Sequence, residues 1–141
     1  MPNKVKKILW RVCSNALPTK ENLKKQKPLD DAHCNACLTK QESILHALWE
    51  CEKLSHVWAL CFIWVRIEHP YILDMQDLIN MLRQQVQRLE LFGVVAWFIW
   101  SHRNRLRLNE KGLPSEKIFK AAKIYLLDYQ AKFPTSKNEA T

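Results

Sequence analysis

Four side chains with metal-binding donor atoms are clustered in a short stretch of the chain. Two residues separate Cys34 from Cys37, and four residues separate His46 from Cys51. Three thiolates and one imidazole are a ligand set of structural zinc sites, which are tetrahedral. The spacing therefore predicts one zinc ion bound by these four residues. Because four protein ligands leave no coordination position open, we expect the ion to be structural and not to activate water.

Other cysteines and histidines lie close to this pattern. His33 is adjacent to Cys34, so we expect its side chain to point away from the ion. His56 follows the last predicted ligand, and it would reach the ion only if its helix folded back. Cys13 and Cys61 lie on apolar helical stripes, and we expect them to be small buried side chains. Ordinary buried thiols and a core histidine are the alternative interpretation of the whole pattern.

Helices are the elements predicted to position these residues. Apolar residues recur at helical spacing from Lys4 to Leu17, where Pro18 ends the pattern. Thr19 is the expected N-cap of a short second helix, and Ser43 that of a helix carrying His46. Two glycines and six prolines are too few for an all-β fold with many tight turns. We therefore expect an all-α fold with a small Cys3His zinc knuckle between helices.

The second half of the chain is also predicted to be helical. One helix is expected over residues 52–67, and another follows its cap Asp74 and continues to about Leu89. Gly93 is expected to bend the chain before the apolar segment 94–100, and a last helix is expected near the C-terminus. The predicted units are a zinc-binding domain with basic N-terminal helices (1–68), a helical linker or extension (69–133) and a disordered tail (134–141).

The composition indicates a globular, basic protein with reduced thiols. Lys and Arg outnumber Asp and Glu by 22 to 14, which gives a formal net charge of +8 and suits an anionic partner. The N-terminus lacks the apolar core of a signal peptide. The longest apolar runs, 57–65 and 91–100, are about half of the roughly 20 residues that a membrane helix needs. Five cysteines are an odd number, so we expect a metal rather than disulfides, and an intracellular protein without a membrane partner.

Several sequence segments together resemble one known family. They are KVKKILWRVCSNALPTKENL (Lys4–Leu23), CNAC (Cys34–Cys37) and HALWECEKLSHVW (His46–Trp58). They resemble the zinc-binding domain, of zf-RVT type, in the reverse transcriptases of plant non-LTR (LINE-type) retrotransposons. The segment WFIWSHRNRLRLNEK (Trp97–Lys111) is similar to the linker that leads from this domain toward a ribonuclease H domain.

The resemblance implies a zinc ion on the four ligands named above and a role in nucleic-acid handling. RNA or single-stranded DNA is the expected partner, and nuclear residence is expected by analogy. Asn35 stands where that family often has proline. The chain lacks the Tyr-x-Asp-Asp motif of the polymerase, and we therefore expect a fragment or a domesticated remnant of such a polyprotein.

Basic residues are concentrated before the zinc pattern, where they can neutralise phosphates or form a solvated face. Trp10 and Trp49 are candidates for base stacking, although burial in the core is the favoured interpretation of both. Arg103, Arg105 and Arg107 form a second, weaker basic group. The candidate nucleic-acid-binding residues are Lys4, Lys6, Lys7, Arg11, Lys20, Lys24, Lys25 and Lys27.

These observations favour a structural zinc-binding module of retrotransposon reverse-transcriptase origin that assists nucleic-acid binding and is not an enzyme. The alternative is a helical protein-interaction domain that docks a polymerase or another partner, and an exposed apolar surface on segment 94–100 would favour it. An enzyme is the weakest interpretation. Glu42, Glu50 and Glu52 lie near the predicted ion, but a filled ligand set provides no activated water and no small-molecule substrate is indicated.

Overall fold

The computed structural model describes residues 1–26, 31–69, 72–108 and 110–134. Within these ranges the chain is helical, and its extended backbone pairing is an isolated bridge between His33 and Gln41. The predicted all-α fold with a Cys3His cluster between helices is confirmed. No helix in the described ranges combines the length and the apolar character needed to cross a membrane.

Seven α-helices and two other helical turns form the described part of the chain. A π-helical turn (His46–Glu50) and a 3-10 turn (Glu52–Leu54) lie between the second and third α-helices. The α-helices are α1 (Asn3–Cys13), α2 (Lys20–Gln26), α3 (Ser55–Ala59), α4 (Ile63–Glu68), α5 (Met75–Leu82), α6 (Val86–Arg107) and α7 (Ser115–Lys132).

Two predicted N-caps are formed. The backbone N–H of Asn22 donates to Oγ1 of Thr19 at 3.3 Å, which caps α2. The backbone N–H of Asp77 donates to Oδ1 of Asp74 at 2.9 Å, which caps α5. Each bond satisfies an amide that the first turn of a helix leaves without an internal partner.

The single helix predicted over residues 52–67 is wrong. The chain forms the 3-10 turn, α3 and α4 there, because Phe62 leaves the helical conformation with φ −130° and ψ 26°. The Phe62 ring thereby enters the core, where it lies edge-on to Trp58 at 5.5 Å and to Phe92 at 6.1 Å between ring centroids. Edge-on contacts between buried aromatic rings are favourable, so packing overrides the local helical pattern.

The bend predicted at Gly93 is also wrong, since α6 continues through this residue. The interruption comes earlier: the helix expected to reach Leu89 ends at Leu82, and Gln85 has extended backbone before α6 begins. Gly93 serves close packing instead. A Cβ atom there would lie 2.5 Å from Cγ1 of Val5, so the missing side chain lets α1 approach α6.

A continuous hydrophobic core joins the N-terminal and C-terminal helices. α6 is central, because it packs against α1, α5, α7 and the π-helical turn. The rings of Trp49, Trp58 and Phe92 form its aromatic centre, with Trp58 lying 5.0 Å from Trp49 and 5.1 Å from Phe92. The three predicted units stay a prediction, and residues 135–141 of the predicted tail lie outside the described residues.

Replacing Gly93 with alanine is expected to lower the free energy of unfolding by about 1–3 kcal/mol, because the new methyl group would overlap Val5 in a packed interface. Urea unfolding followed by circular dichroism measures the loss. Gln87→Ala, at an exposed position of α6, is the control and should keep the wild-type stability. In a chain that already carries Val5→Ala, the loss caused by Gly93→Ala should be smaller than in the wild type. An equal loss with and without the Val5 side chain would contradict the contact.

Candidate metal centre

The first two cysteines lie in a tight loop closed by backbone hydrogen bonds. The N–H of Cys34 donates to the carbonyl of Lys40 at 2.8 Å, and the N–H of Glu42 donates to that of Ala32 at 2.8 Å. At the turn, Leu38 has a left-handed conformation with φ 64°, and its N–H donates to the carbonyl of Cys34 at 2.9 Å. We refer to residues 32–42 as the knuckle.

The π-helical turn positions the other two predicted ligands. The N–H of Cys51 donates to the carbonyl of His46 at 3.0 Å, five residues back. In a regular α-helix, a residue five positions later lies about 140° around the axis, so the two side chains would point apart. The wider turn reduces this divergence. Ser43 starts the segment as predicted, since its Oγ accepts from the N–H of His46 at 3.1 Å.

The structure brings the four donor atoms together, all within 4.8 Å of one another and all on buried residues. Sγ of Cys34 lies 3.9 Å from Sγ of Cys51, and Sγ of Cys37 lies 3.3 Å from Nε2 of His46. A tetrahedral zinc ion with ordinary bond lengths sets its sulfur ligands about 3.8 Å apart and a sulfur and a nitrogen about 3.6 Å apart. The donor set and its spacing fit one structural zinc ion.

The other candidate side chains lie away from this cluster. His33 is exposed, and its ring pairs with the carboxylate of Asp31. His56 is exposed on α3. Cys13 and Cys61 are half-buried against the core, less deeply than predicted.

The surroundings of the cysteines favour deprotonation of two of them. The hydrogen bond with Cys51 is the largest influence that holds the pKa of Cys34 far below its ordinary value. Burial by itself raises the pKa of Cys37, but hydrogen bonds, chiefly from Thr39, lower it to about 7. The same pairing with Cys34 raises the pKa of Cys51. Zinc binds thiolates, so Cys34 and Cys37 favour the charged form that a zinc ion needs, whereas Cys51 loses its proton when an ion binds.

Comparison with known families agrees with this geometry. Residues 1–58 match the family model described as zinc-binding in reverse transcriptase. The N-terminal segment is therefore similar to this family. No curated protein and no solved structure matches the chain at a significant level. The family resemblance and the zinc cofactor are thus confirmed, while the plant non-LTR origin and the linker toward a ribonuclease H domain stay predictions.

A buried arginine outside the matched reverse-transcriptase segment adjoins the ligands. Arg103, on α6, is 6% exposed, and its Nη1 donates to Sγ of Cys34 at 3.0 Å. The same nitrogen lies 3.1 Å from Oε2 of Glu42, which is 3% exposed. Nε of Arg103 donates to the carbonyl of Ala47 at 2.8 Å. The zinc-binding segment is therefore in direct contact with a helix beyond its own boundary.

Placing Arg103 in an exposed basic group with Arg105 and Arg107 was wrong. Arg105 is exposed and Arg107 is half-buried, but Arg103 points into the core. The helical spacing of the sequence does indicate that Arg103 is buried, and the prediction missed this. Arg103 follows the buried residues Ile99 and Trp100 by four and three positions, which places it on their face of α6.

The acidic residues predicted near the ion lie in two different settings. Glu42 is buried in its ion pair with Arg103. Glu50 and Glu52 are exposed and line a pocket of about 260 Å³ beside Cys37. Because the four donor atoms already complete a tetrahedron, these carboxylates border the cluster without belonging to the ligand set.

Replacing Cys34 or Cys37 with serine is expected to abolish stoichiometric zinc binding and to unfold the knuckle. Zinc binding supplies about 10–16 kcal/mol in small structural sites, and the knuckle, which has few apolar side chains, has no comparable source of stability. Elemental analysis and amide hydrogen exchange measure the two effects.

Cys13→Ser and Cys61→Ser are the matched controls, because these thiols lie outside the cluster. Both should retain one zinc ion per chain. A wild-type zinc content well below one per chain, or an equal loss of zinc in the controls, would contradict the ligand assignment.

Proposed function

We propose that the chain is a structural zinc-binding module of reverse-transcriptase type that binds nucleic acid and has no catalytic activity of its own. The zinc-binding part rests on the family match and the ligand cluster. The lack of catalysis is proposed because the ligand set fills all four positions of a tetrahedral ion. Nucleic-acid binding is supported above all by one observation, an exposed tryptophan among cations on α1.

The solvent-facing side of α1 carries this tryptophan. Trp10 is 67% exposed, so the favoured prediction of burial was wrong for it, whereas Trp49 is buried as predicted. Lys6 and Lys7 precede Trp10 by four and three positions, which makes them its neighbours on the helix surface. Arg11 follows directly, and all three cations are exposed. We call Lys6, Lys7, Trp10 and Arg11 the α1 outer face.

The side chains of the α1 outer face suit the binding of a single-stranded nucleic acid. Lysine and arginine neutralise phosphates and release counterions, which gives affinity that falls with salt and tolerates many sequences. A base stacked on an aromatic side chain adds about 1–3 kcal/mol. In a duplex the base faces are already stacked on each other, so an indole ring reaches them in single-stranded RNA or DNA.

Further predicted cations lie on α2, the next helix of the chain. Lys24 and Lys25 are exposed, and they add positive charge available to phosphates. Lys20 is half-buried, and its ammonium donates to the side-chain oxygen of Asn35 in the knuckle. Lys27 lies outside the described residues. We propose Lys24 and Lys25 as secondary contacts.

Lys4 differs from the other cations of α1. Its ammonium lies 3.8 Å from the ring centroid of Trp97 and 4.1 Å from that of Tyr125. Cation–π contacts with two rings hold the side chain against α6 and α7. We therefore leave Lys4 out of the proposed contact set.

Replacing Trp10 with alanine is expected to weaken binding of labelled single-stranded RNA by about 1–3 kcal/mol, because a stacking surface is lost. Fluorescence anisotropy of the full chain measures the affinity. Leu127→Ala, which removes an exposed apolar side chain from α7, is the matched control and should bind like the wild type. Equal affinity of the Trp10 variant and the wild type would contradict the stacking contact.

Replacing Lys6, Lys7 and Arg11 together with glutamate is expected to weaken binding to unrelated sequences alike. The slope of log K against log salt should become shallower by about 2, since each lost phosphate contact removes about 0.7 for a single strand. The control changes the net charge equally, by replacing three exposed lysines of α7, namely Lys117, Lys120 and Lys123. A flat salt response of the wild type, or an equal loss in the control, would overturn the proposed surface.

A protein-interaction domain is the second candidate function. Segment 94–100, whose exposure would have favoured this candidate, is largely buried in α6. The observation that favours this candidate lies on α7, where Ile124 and Leu127 are 58% and 61% exposed. If the chain binds neither RNA nor single-stranded DNA at low salt, the protein-interaction function is favoured.

A further inference from the structure

One buried side chain connects the two chain segments that carry the metal ligands. Nη1 of Arg103 lies 3.0 Å from Sγ of Cys34, in the knuckle. Its Nε donates at 2.8 Å to the carbonyl of Ala47, in the π-helical turn that begins with His46 and precedes Cys51. The guanidinium thus spans both halves of the ligand set from a third element, α6.

We infer that Arg103 is a positioning residue of the metal centre, which holds the knuckle and the π-helical turn at the separation that one ion requires. Each half of the site contributes two ligands, and neither half can complete a tetrahedron alone. A fixed bridge between the halves lowers the cost of bringing them together, because less freedom is lost when the ion binds.

The charge at this position supports the bridge. Three thiolates and a divalent zinc ion carry a net charge of −1, and Glu42 adds another negative charge beside them. Buried charges are costly unless they are paired. The guanidinium provides one positive charge between the Cys34 sulfur and the Glu42 carboxylate, which are its two acceptors at Nη1.

The shape of the arginine side chain matters as much as its charge. A guanidinium is planar and presents its N–H groups in fixed directions, whereas a lysine ammonium is a point charge on a flexible stem. Glu42 fixes the orientation of the plane, and its other oxygen accepts from the backbone N–H of Lys20 at 2.9 Å. Ile99, four residues before Arg103 on α6, is fully buried and anchors the helix.

This role couples the zinc ion to a helix outside the zinc-binding segment. If α6 positions ligands through Arg103, then zinc must in turn stabilise the docking of α6, because coupling between two equilibria is reciprocal. Removal of zinc from the full chain should therefore increase amide exchange in α6 around residue 103, and not in the knuckle alone.

The direct test measures zinc affinity of the full chain by competition with a chromophoric chelator. Arg103→Met and Arg103→Lys are each expected to raise the zinc Kd roughly 10–100-fold, which is typical when a group that orients metal ligands is lost. Arg105→Met and Arg105→Lys, at an exposed position of the same helix, are the matched controls. A Kd in Arg103→Met equal to its control would overturn the inference, and a wild-type Kd in Arg103→Lys would show that charge alone suffices and would overturn the bridge.

A second measurement needs no substitution, and it tests the Arg103 bridge even if the Arg103 variants do not fold. In the wild-type chain loaded with an NMR-active cadmium isotope, a guanidinium N–H of Arg103 should exchange slowly and show coupling to the metal through the Cys34 sulfur. Rapid exchange without such coupling would mean that the bridge does not form in the metal-bound protein.

Discussion

The fold depends on one constraint: three sulfurs and an imidazole nitrogen must meet at a single point, although they come from two separate segments. The knuckle supplies Cys34 and Cys37, and the π-helical turn and the residue after it supply His46 and Cys51. Neither segment has a regular helix that would fix these side chains. A zinc ion satisfies the constraint, and it supplies the stability that the few apolar side chains of the knuckle do not provide.

The helices of the core, above all α6, pack against the four metal ligands and their surroundings. α6 runs through the core, and the missing side chain at Gly93 lets α1 pack closely against it. The same helix sends Arg103 to the Cys34 sulfur and to Glu42. The family match ends at residue 58, so a helix outside the matched segment contributes to the environment of the ion. Meanwhile α1 buries one side against α6 and leaves Trp10 and its neighbouring cations in solvent.

The sequence predicted those features that depend on local spacing and donor chemistry. The all-α fold, the capping roles of Thr19 and Asp74 and the zinc cofactor follow from such local patterns. The errors arise where distant packing decides. The break at Phe62 exists because its ring meets Phe92, and the close approach of α1 at Gly93 involves Val5. The π-helical turn differs from an ordinary helix only in its hydrogen bonding, and no residue type predicts that difference from the sequence. The burial of Arg103 was visible in its helical spacing, but a basic residue is ordinarily assigned to the surface.

X-ray absorption spectroscopy at the zinc edge of the purified full chain tests the central claim most directly. A zinc ion bound by these four protein ligands alone should show three sulfur scatterers at about 2.3 Å and one nitrogen scatterer at about 2.0–2.1 Å, with no bound water. A spectrum with fewer sulfur neighbours, or with an oxygen ligand in the inner coordination sphere, would contradict the account.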